Sequence, residues 1–211
     1  MKNASILCIT SDDAWGAQAA RLASRYPNVL VARDARSLSA SRALKLLFKR
    51  ERERERTLRL SVVLRQLAAM LQRVKEPCTF DAGVASSADI LRICRAEAIK
   101  AVVLYRAGIY INRQLLEAVP QVFNIHCADI YRYGGLNAIG RIRADRERRQ
   151  WATLHRVTPR IDEGPVIALK EYRLNPAMAY CSMEDVAYRA GLELLEGFFN
   201  AYTQGFSPKL E

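Results

Sequence analysis

The order of apolar and amphipathic segments predicts an α/β fold, with a mostly parallel sheet and helices on both faces. Short apolar runs such as 5–9 and 101–104 recur along the chain, and parallel strands that are covered on both sides have this continuous hydrophobicity. Segments with helical spacing lie between these runs. Polar residues collect where one run ends, at Asn124 and His126, and ligands bind at strand ends in such sheets.

The first 32 residues predict a strand, a helix and a second strand. The apolar run 5–9 ends in polar residues 10–13, which suit the N-cap of a helix over 14–24. Residues 26–28 include a proline and an asparagine that end this helix, and the apolar run 29–32 predicts the next strand. This order is that of a βαβ unit.

Residues 36 to about 74 have leucine, valine and alanine at helical spacing. Because this is long for a connection between strands, we interpret it as a basic helical elaboration, at about 36–76, of a single domain over 1–211. Residues 42–75 contain eleven bases and three acids, which accounts for +8 of the net charge of +11. Such a segment is either a solvated helix with self-paired charges or a surface that attracts phosphates, nucleic acid or an anionic membrane.

The alternation continues through the rest of the chain. A serine at 86 or 87 suits the N-cap of a helix over 88–98, and the run 99–104 predicts a buried strand. Apolar runs and helical spacing predict the remaining elements in the same way. These are a short helix (115–119) that Pro120 ends, a strand (122–126), a helix (136–144), two strands (151–157 and 166–174) and a last helix from Ser182.

Composition excludes several classes of protein. Half of the residues are apolar, which is enough for a full core, and no run approaches the 18 apolar residues of a membrane span. The N-terminus leads directly into a strand without the apolar region of a signal peptide, so we expect a cytoplasmic protein. Five scattered cysteines and two histidines argue against a zinc site, and we expect reduced thiols and no metal.

One set of polar residues has the spacing of a catalytic site. Asn124 and His126 are two residues apart on a strand, so their side chains project to the same side. The segment Asp162-Glu163-Gly164-Pro165-Val166-Ile167 begins 38 residues after Asn124. This combination resembles the 10-formyltetrahydrofolate-dependent formyltransferase family, whose members act on glycinamide ribonucleotide, methionyl-tRNA or amino sugars. The resemblance covers roughly 102–174.

The resemblance implies a formyltransferase-type, Rossmann-like three-layer sandwich that transfers a formyl group from 10-formyltetrahydrofolate to a primary amine. Formyl transfer passes through a tetrahedral oxyanion, which preorganised N–H donors stabilise. Asn124 and His126 are therefore expected to stabilise this oxyanion. Asp162 is expected to orient His126 and to help move the proton lost by the amine, through a water molecule.

The resemblance also implies a slot for the pterin, formed mostly by backbone groups of 105–111 and 157–161. The residues expected to bind the folate are Ile109, Tyr110, Ile111, Val157, Thr158, Ile161 and Gly164. Core packing is the alternative for the two isoleucines. Gly164 is interpreted as a turn residue that needs positive φ or a close backbone approach. His155 is predicted only to pack.

The sequence departs from the family pattern in two places, of which the first bears on the acceptor. Residues 10–16 include two acids where the glycinamide ribonucleotide enzymes have a Gly-rich phosphate loop, which disfavours that substrate. Residues 127–131 lack the prolines that commonly follow the histidine. We expect a phosphorylated or nucleotide-linked amine, above all a nucleotide-linked amino sugar of surface-polysaccharide biosynthesis. Its expected contacts are Trp15, Arg132, Tyr133 and Arg141.

Several alternatives remain open at this point. The acceptor amine could instead be lipid-linked, a siderophore or glycinamide ribonucleotide. Water could replace the amine, which would make the protein a formyltetrahydrofolate hydrolase. A non-catalytic basic binding domain is the alternative from another class. We expect a small-molecule partner with no requirement for nucleic acid, and peripheral membrane contact and a homodimer are further options.

Overall fold

Seven strands form one sheet in the computed structural model, which describes residues 5–36, 80–119 and 121–205. The strands are β1 (Ile6–Thr10), β2 (Val29–Asp34), β3 (Ala82–Val84), β4 (Ala101–Tyr105), β5 (Gln121–His126), β6 (Arg149–Arg156) and β7 (Val166–Arg173). The helices of the described residues are α1 (Ala14–Ala23), α2 (Ser87–Ala96), α3 (Arg113–Ala118), α4 (Ile130–Tyr133), α5 (Ala138–Ala144) and α6 (Tyr180–Thr203). The predicted α/β class is confirmed.

The sheet is parallel over most of its width. Its strand order is β3-β2-β1-β4-β5-β6-β7, in which β1 to β5 pair in parallel and β6 and β7 are antiparallel. The chain leaves β1 toward β2 on one side and later returns to β4 on the other side. Ligands bind near such a switch point, beyond the carboxyl ends of the strands. The topology therefore directs attention to the ends of β1, β4 and β5.

Both faces of the sheet are covered, which explains the continuous apolar runs in the sequence. Alternate side chains of β1 enter different cores: Ile6 and Cys8 pack on one face, and Leu7 and Ile9 on the other. Helices α1, α5 and α6 contribute to the first core, and α2 and α3 contribute to the second. The layers are thus helix, sheet and helix, as predicted. None of the helices in the described part of the chain is long and apolar enough to cross a membrane.

The elements differ from the predictions at several boundaries. Strand β3 and helix α4 were not predicted, because segments of three and four residues are too short to show a periodic pattern. Helix α6 begins at Tyr180 rather than at Ser182, and β6 begins at Arg149. The predicted basic helical elaboration at about 36–76 lies, from residue 37 onward, outside the described residues, and the single-domain organisation stays a prediction.

Helix α1 begins directly after β1, at the carboxyl end of the sheet. Its N-cap is Asp13, whose Oδ1 accepts a hydrogen bond from the N–H of Gly16 at 2.9 Å. A Cβ at position 16 would lie 1.7 Å from the carbonyl oxygen of Ser11, so only glycine allows this close approach. The turn from β1 into α1 is therefore fixed beside the switch point.

Candidate functional site

A cleft of about 630 Å³ opens at the carboxyl ends of β4 and β5. Its walls are formed by the cleft loop (residues 106–112), by residues 135–139, by the loop between β6 and β7, and by one side of α6. This volume lies within the range of small-molecule sites, which combine apolar walls with a few polar groups. The cleft is thus the first place to look for the predicted catalytic residues.

Asn124, His126 and Asp162 converge in this cleft. Asn124 and His126 project together from the end of β5, and Asp162 reaches them from the loop between β6 and β7. The Asn124 Nδ2 atom lies 3.5 Å from Asp162 Oδ1, and the His126 Nδ1 atom lies 3.5 Å from Asp162 Oδ2. Asp162 has a φ of 54°, in the left-handed region that aspartate tolerates better than most residues. The backbone conformation at position 162 therefore helps to aim its carboxylate.

The carboxylate of Asp162 is held in its charged form. Burial would raise its pKa, but the contact with His155, the charge of His126 and the N–H of Gly135 together lower the pKa to about 2. The Gly135 N–H donates to Oδ2 at 2.7 Å. The cleft thus contains a fixed negative charge next to two histidines.

Both ring nitrogens of His126 face oxygen atoms. The Nε2 atom lies 2.9 Å from the carbonyl oxygen of Tyr133, which can only accept, so Nε2 carries a hydrogen. The Nδ1 atom faces the Asp162 carboxylate, which is also an acceptor. The carbonyl of Tyr133 therefore fixes the ring and leaves Nδ1 on the side of Asp162.

His155 belongs to the site, although it was predicted only to pack. It lies opposite Asn124 in the antiparallel pair β5–β6 and is almost fully buried. Its Nε2 atom lies 3.0 Å from Asn124 Nδ2 and 3.5 Å from Asp162 Oδ1, and its Nδ1 atom lies 3.0 Å from the carbonyl oxygen of Arg156. The available signal was a histidine on the strand that pairs with the Asn-x-His strand.

Most residues predicted to bind the folate line the cleft. These are Ile109, Tyr110, Ile111, Val157, Thr158 and Ile161. The two isoleucines are buried, whereas Tyr110 and Ile161 are 59% and 70% exposed at the rim. The core and slot interpretations of the isoleucines therefore hold together, because each packs in the second core and also faces the cleft.

Gly164 is not among the residues that line the cleft. A Cβ at this position would lie 1.7 Å from the carbonyl oxygen of Arg156, and its φ is not positive. Of the two reasons predicted for this glycine, the structure shows the close backbone approach. Gly164 thus allows the loop that carries Asp162 to cross the end of β6.

None of the four residues predicted to contact the acceptor has its side chain among those that line the cleft. The Arg132 guanidinium binds Glu147 at 2.6 Å. The Tyr133 hydroxyl donates to Asp145 at 2.8 Å and lies 3.4 Å from Glu147. The contribution of Tyr133 to the site is its backbone carbonyl on His126, rather than its ring.

The other two predicted acceptor residues also have partners elsewhere. The indole N–H of Trp15 donates to Asp185 at 3.0 Å, and its ring packs edge-on against Tyr188. The guanidinium of Arg141 donates to the carbonyl oxygen of Gly134. These contacts give Trp15 and Arg141 roles in packing helices and turns near the cleft.

The end of the cleft beside α6 is polar and was not predicted. Tyr180, Glu184 and Tyr188 follow one another at four-residue spacing on α6 and line this end. The Arg106 guanidinium stacks on the Tyr188 ring, with its Cζ 3.6 Å from the ring centroid, and pairs with Asp13. The prediction of this helix rested on its apolar positions alone, which do not reveal the polar stripe.

The pKa values of two groups near this end, Asp13 and Cys127, are shifted by their surroundings. Burial would raise the pKa of Asp13, but the charge of Arg106 and the Gly16 N–H lower it below its usual value. Burial raises the pKa of the Cys127 thiol to about 12. A thiol with such a pKa is protonated at neutral pH, so Cys127 is not an activated nucleophile. Within the described residues, no group of histidine, cysteine, aspartate and glutamate side chains could hold a metal ion.

No family model matches the chain. Over 99 residues it is 31% identical to a methionyl-tRNA formyltransferase of Coprothermobacter proteolyticus, and the match covers 46% of this chain and 33% of that protein. The match thus spans only a third of that relative's length.

Solved structures resemble the whole described fold. A glycinamide ribonucleotide transformylase of Symbiobacterium toebii superposes with a TM-score of 0.66 at 16% identity, over 97% of this chain and 90% of that one. A formyltetrahydrofolate deformylase of Pseudomonas syringae gives 0.65 at 16% identity, over 95% and 61%. An N-formyltransferase of Helicobacter canadensis, in complex with folinic acid and dTDP-3-aminofucose, gives 0.61 at 12% identity, over 94% and 64%. At these identities the likeness shows the fold.

Proposed function

We propose that this chain, a relative of the formyltransferases in fold and in sequence, moves a formyl group from 10-formyltetrahydrofolate to the primary amine of a small acceptor. The observation that carries the proposal is the convergence of Asn124, His126 and Asp162 in one cleft, with both contacts to Asp162 at 3.5 Å. Three side chains from two segments, β5 and the loop between β6 and β7, thus meet at one point, as a catalytic site requires.

The cleft suits the pterin end of a reduced folate. Its volume of about 630 Å³ is that of a small-molecule site, and Ile109, Ile111 and Val157 give it apolar walls. The backbone of the cleft loop can supply hydrogen bonds along one edge. When bound, the folate would supply the formyl group. The side chains of the chain itself would bind, orient and handle protons.

Asn124 would stabilise the formyl oxygen as it gains negative charge. Its Nδ2 donates to His155 Nε2 at 3.0 Å, but its contact with Asp162 is long, at 3.5 Å. An oxygen that becomes negatively charged can therefore compete for the second hydrogen. Because the amide is held in place before the reaction, this stabilisation needs little reorganisation.

His126 was expected to stabilise the oxyanion, but both of its ring nitrogens face other partners, so that contact gains no support. His126 and Asp162 would instead handle the proton that the amine loses. The Tyr133 carbonyl occupies Nε2 of His126, which leaves Nδ1 on the side of the carboxylate. The Nδ1 lone pair of a neutral ring would accept the proton that the amine loses as its N–C bond forms, and would return it to N10 of the folate as the bond from the formyl carbon to N10 breaks. In between, the proton lies beside a carboxylate that stays charged, since the pKa of Asp162 is about 2. The carboxylate thus stabilises a charged imidazolium and orients it. No covalent link to the protein is needed, because a bound amine can attack directly.

The second part of the proposal concerns the identity of the acceptor amine. A nucleotide-linked amino sugar is supported by the fold shared with the Helicobacter canadensis enzyme and its dTDP-3-aminofucose. Arg132 and Arg141, which were expected to hold its diphosphate, have other partners, so those contacts gain no support. A cytoplasmic location and a homodimer stay predictions.

The test is an assay with 10-formyltetrahydrofolate and a panel of small primary amines that includes a nucleotide-linked amino sugar. We expect amine-dependent release of tetrahydrofolate and an equal amount of formylated amine, followed by mass spectrometry. Asn124→Ala should lower turnover by about 100-fold or more, because it removes the donor to the developing charge. The matched control is Asn175→Ala, in an exposed loop that does not line the cleft.

The outcomes separate the competing functions. Formate release without any amine would favour the hydrolase. A wild-type protein that neither turns over the donor nor binds folinic acid would contradict an enzyme of this class and leave the binding-domain alternative.

A further inference from the structure

The cleft loop has no regular secondary structure, yet it forms the wall where the folate is proposed to bind. Its shape must therefore be held by contacts from outside the loop. Two such contacts come from residues that do not line the cleft, Asp34 and Ser87. We propose that Asp34 and Ser87 are positioning residues that hold the cleft loop in its ligand-binding shape. This inference rests on the proposed function for the identity of the ligand.

Asp34 anchors the first half of the loop. It ends β2 and is 4% exposed, and its Oδ2 accepts the N–H of Gly108 at 2.9 Å. Its other oxygen, Oδ1, accepts the backbone N–H of Arg36 at 2.9 Å and lies 3.4 Å from the Arg36 Nε. A buried carboxylate with both oxygens used is rigid, because losing either partner would leave charge unsatisfied.

Ser87 anchors the second half. Its hydroxyl donates to the carbonyl oxygen of Tyr110 at 2.7 Å and accepts the N–H of Asn112 at 3.0 Å. Both capacities of one buried hydroxyl are thus used on the loop. Asn112 in turn caps α3 by accepting the N–H of Leu115 at 2.9 Å, so this anchor also fixes where the helix begins.

The two anchors bracket Ile109, whose side chain faces the cleft. Gly108 and Tyr110 are its neighbours on either side, and each has one backbone group tied down by Asp34 or Ser87. The backbone of Ile109 between them is consequently held in one orientation.

The experiment measures binding of folinic acid, by calorimetry, to Asp34→Asn and Ser87→Ala. We expect each variant to raise the Kd of folinic acid by up to about tenfold, which is the effect of losing one net hydrogen bond. The KM for the formyl donor should rise by a similar factor. The kcat at saturating donor should stay within about twofold, because positioning contacts affect binding of donor and transition state equally.

The matched control is Ser86→Ala. Ser86 is next to Ser87 and caps α2 by accepting the N–H of Asp89, and its hydroxyl donates to the carboxylate of the same residue, so its partners lie within α2. Its loss should lower the melting temperature while leaving the Kd of folinic acid unchanged. If Ser87→Ala behaves like Ser86→Ala, or if kcat falls while Kd holds, the positioning role is wrong.

Amide hydrogen exchange in the free protein separates this inference from the proposed function. We expect Asp34→Asn to speed exchange at Gly108, and Ser87→Ala to speed exchange at Asn112, without comparable change in β4. If wild type fails to bind folinic acid, the proposed function fails, but these exchange rates still test the anchors. Unchanged exchange at both amides would overturn the positioning role.

Discussion

The catalytic and acceptor residues predicted from the sequence had different outcomes. Asn124, His126 and Asp162 meet in the cleft, whereas none of the four predicted acceptor side chains lines it. The first set was placed by strand alternation and by the spacing of a motif. The second was placed mainly by closeness in sequence to the catalytic strand. Closeness along the chain says little about direction in helices, where successive side chains are about 100° apart.

The residues predicted to contact the acceptor point away from the cleft because they bind partners close to them in the chain. Arg132 and Tyr133 lie on the short helix α4 and find the acids Glu147 and Asp145 just beyond α5. Long charged side chains pair with the nearest opposite charge. Which charge is nearest depends on the position of the residue within the helical turn, because that position sets the direction of its side chain. At the end of a strand in a buried sheet the direction of each side chain can be predicted, because successive side chains point to opposite faces.

Asp162→Asn should have the largest effect and would test the catalytic set most severely. Asparagine tolerates the φ of 54°, so the fold should hold while the charge beside His126 disappears. We expect kcat to fall by about 100-fold or more, as for loss of a proton-handling group. The control is Glu163→Gln, an exposed neighbour paired with Arg160. A near-normal kcat in Asp162→Asn would show that the Asp162 carboxylate is not needed for the reaction.

His155→Gln should have an intermediate effect. His155 contacts Asn124 and Asp162 and acts by positioning them. We expect kcat to fall about tenfold, less than for Asp162→Asn, because the direct groups remain. The measurement is the kcat at saturating donor, with the melting temperature as a check on folding. A loss as large as that of Asp162→Asn would indicate that His155 itself handles charge in the reaction.

The charge of Asp162 should also be visible in stability against pH. Its folded pKa of about 2 lies below the usual value, so its stabilisation is complete above about pH 4 and is lost as the pH falls through about 2. The free energy of unfolding of wild type minus that of Asp162→Asn should therefore shrink by about 1–2 kcal/mol between neutral and strongly acidic solution. Urea titrations of both proteins measure it. A constant difference would contradict the lowered pKa.

Arg132→Gln combined with Arg141→Gln should have the smallest effect and sharpens the contrast between the two sets. Because both guanidinium groups bind within the protein, we expect the KM for any acceptor to change less than about twofold. Contacts with a diphosphate would instead predict a loss of tenfold or more. Such a loss would restore the sequence-based assignment and require these side chains to leave their present partners.

Much of the fold followed from the sequence, because long apolar runs and helical spacing report burial directly. The runs at β1 and β4 gave their strands within a residue or two. Strand β3 and helix α4 were missed, because three or four residues do not show a period. His155 was undervalued, since its role depends on the antiparallel register of β5 and β6, which no local pattern encodes. Asp34 and Ser87 were missed for the same reason, because their contacts with the cleft loop join segments that are distant in the sequence.

The most direct test is a crystal structure of the protein with a non-transferable 10-formyl folate analogue. We predict the pterin against the cleft loop, with the formyl oxygen about 3 Å from Asn124 Nδ2 and close to the His126–Asp162 pair. An analogue bound outside the cleft, or a formyl group turned away from these three residues, would contradict the account.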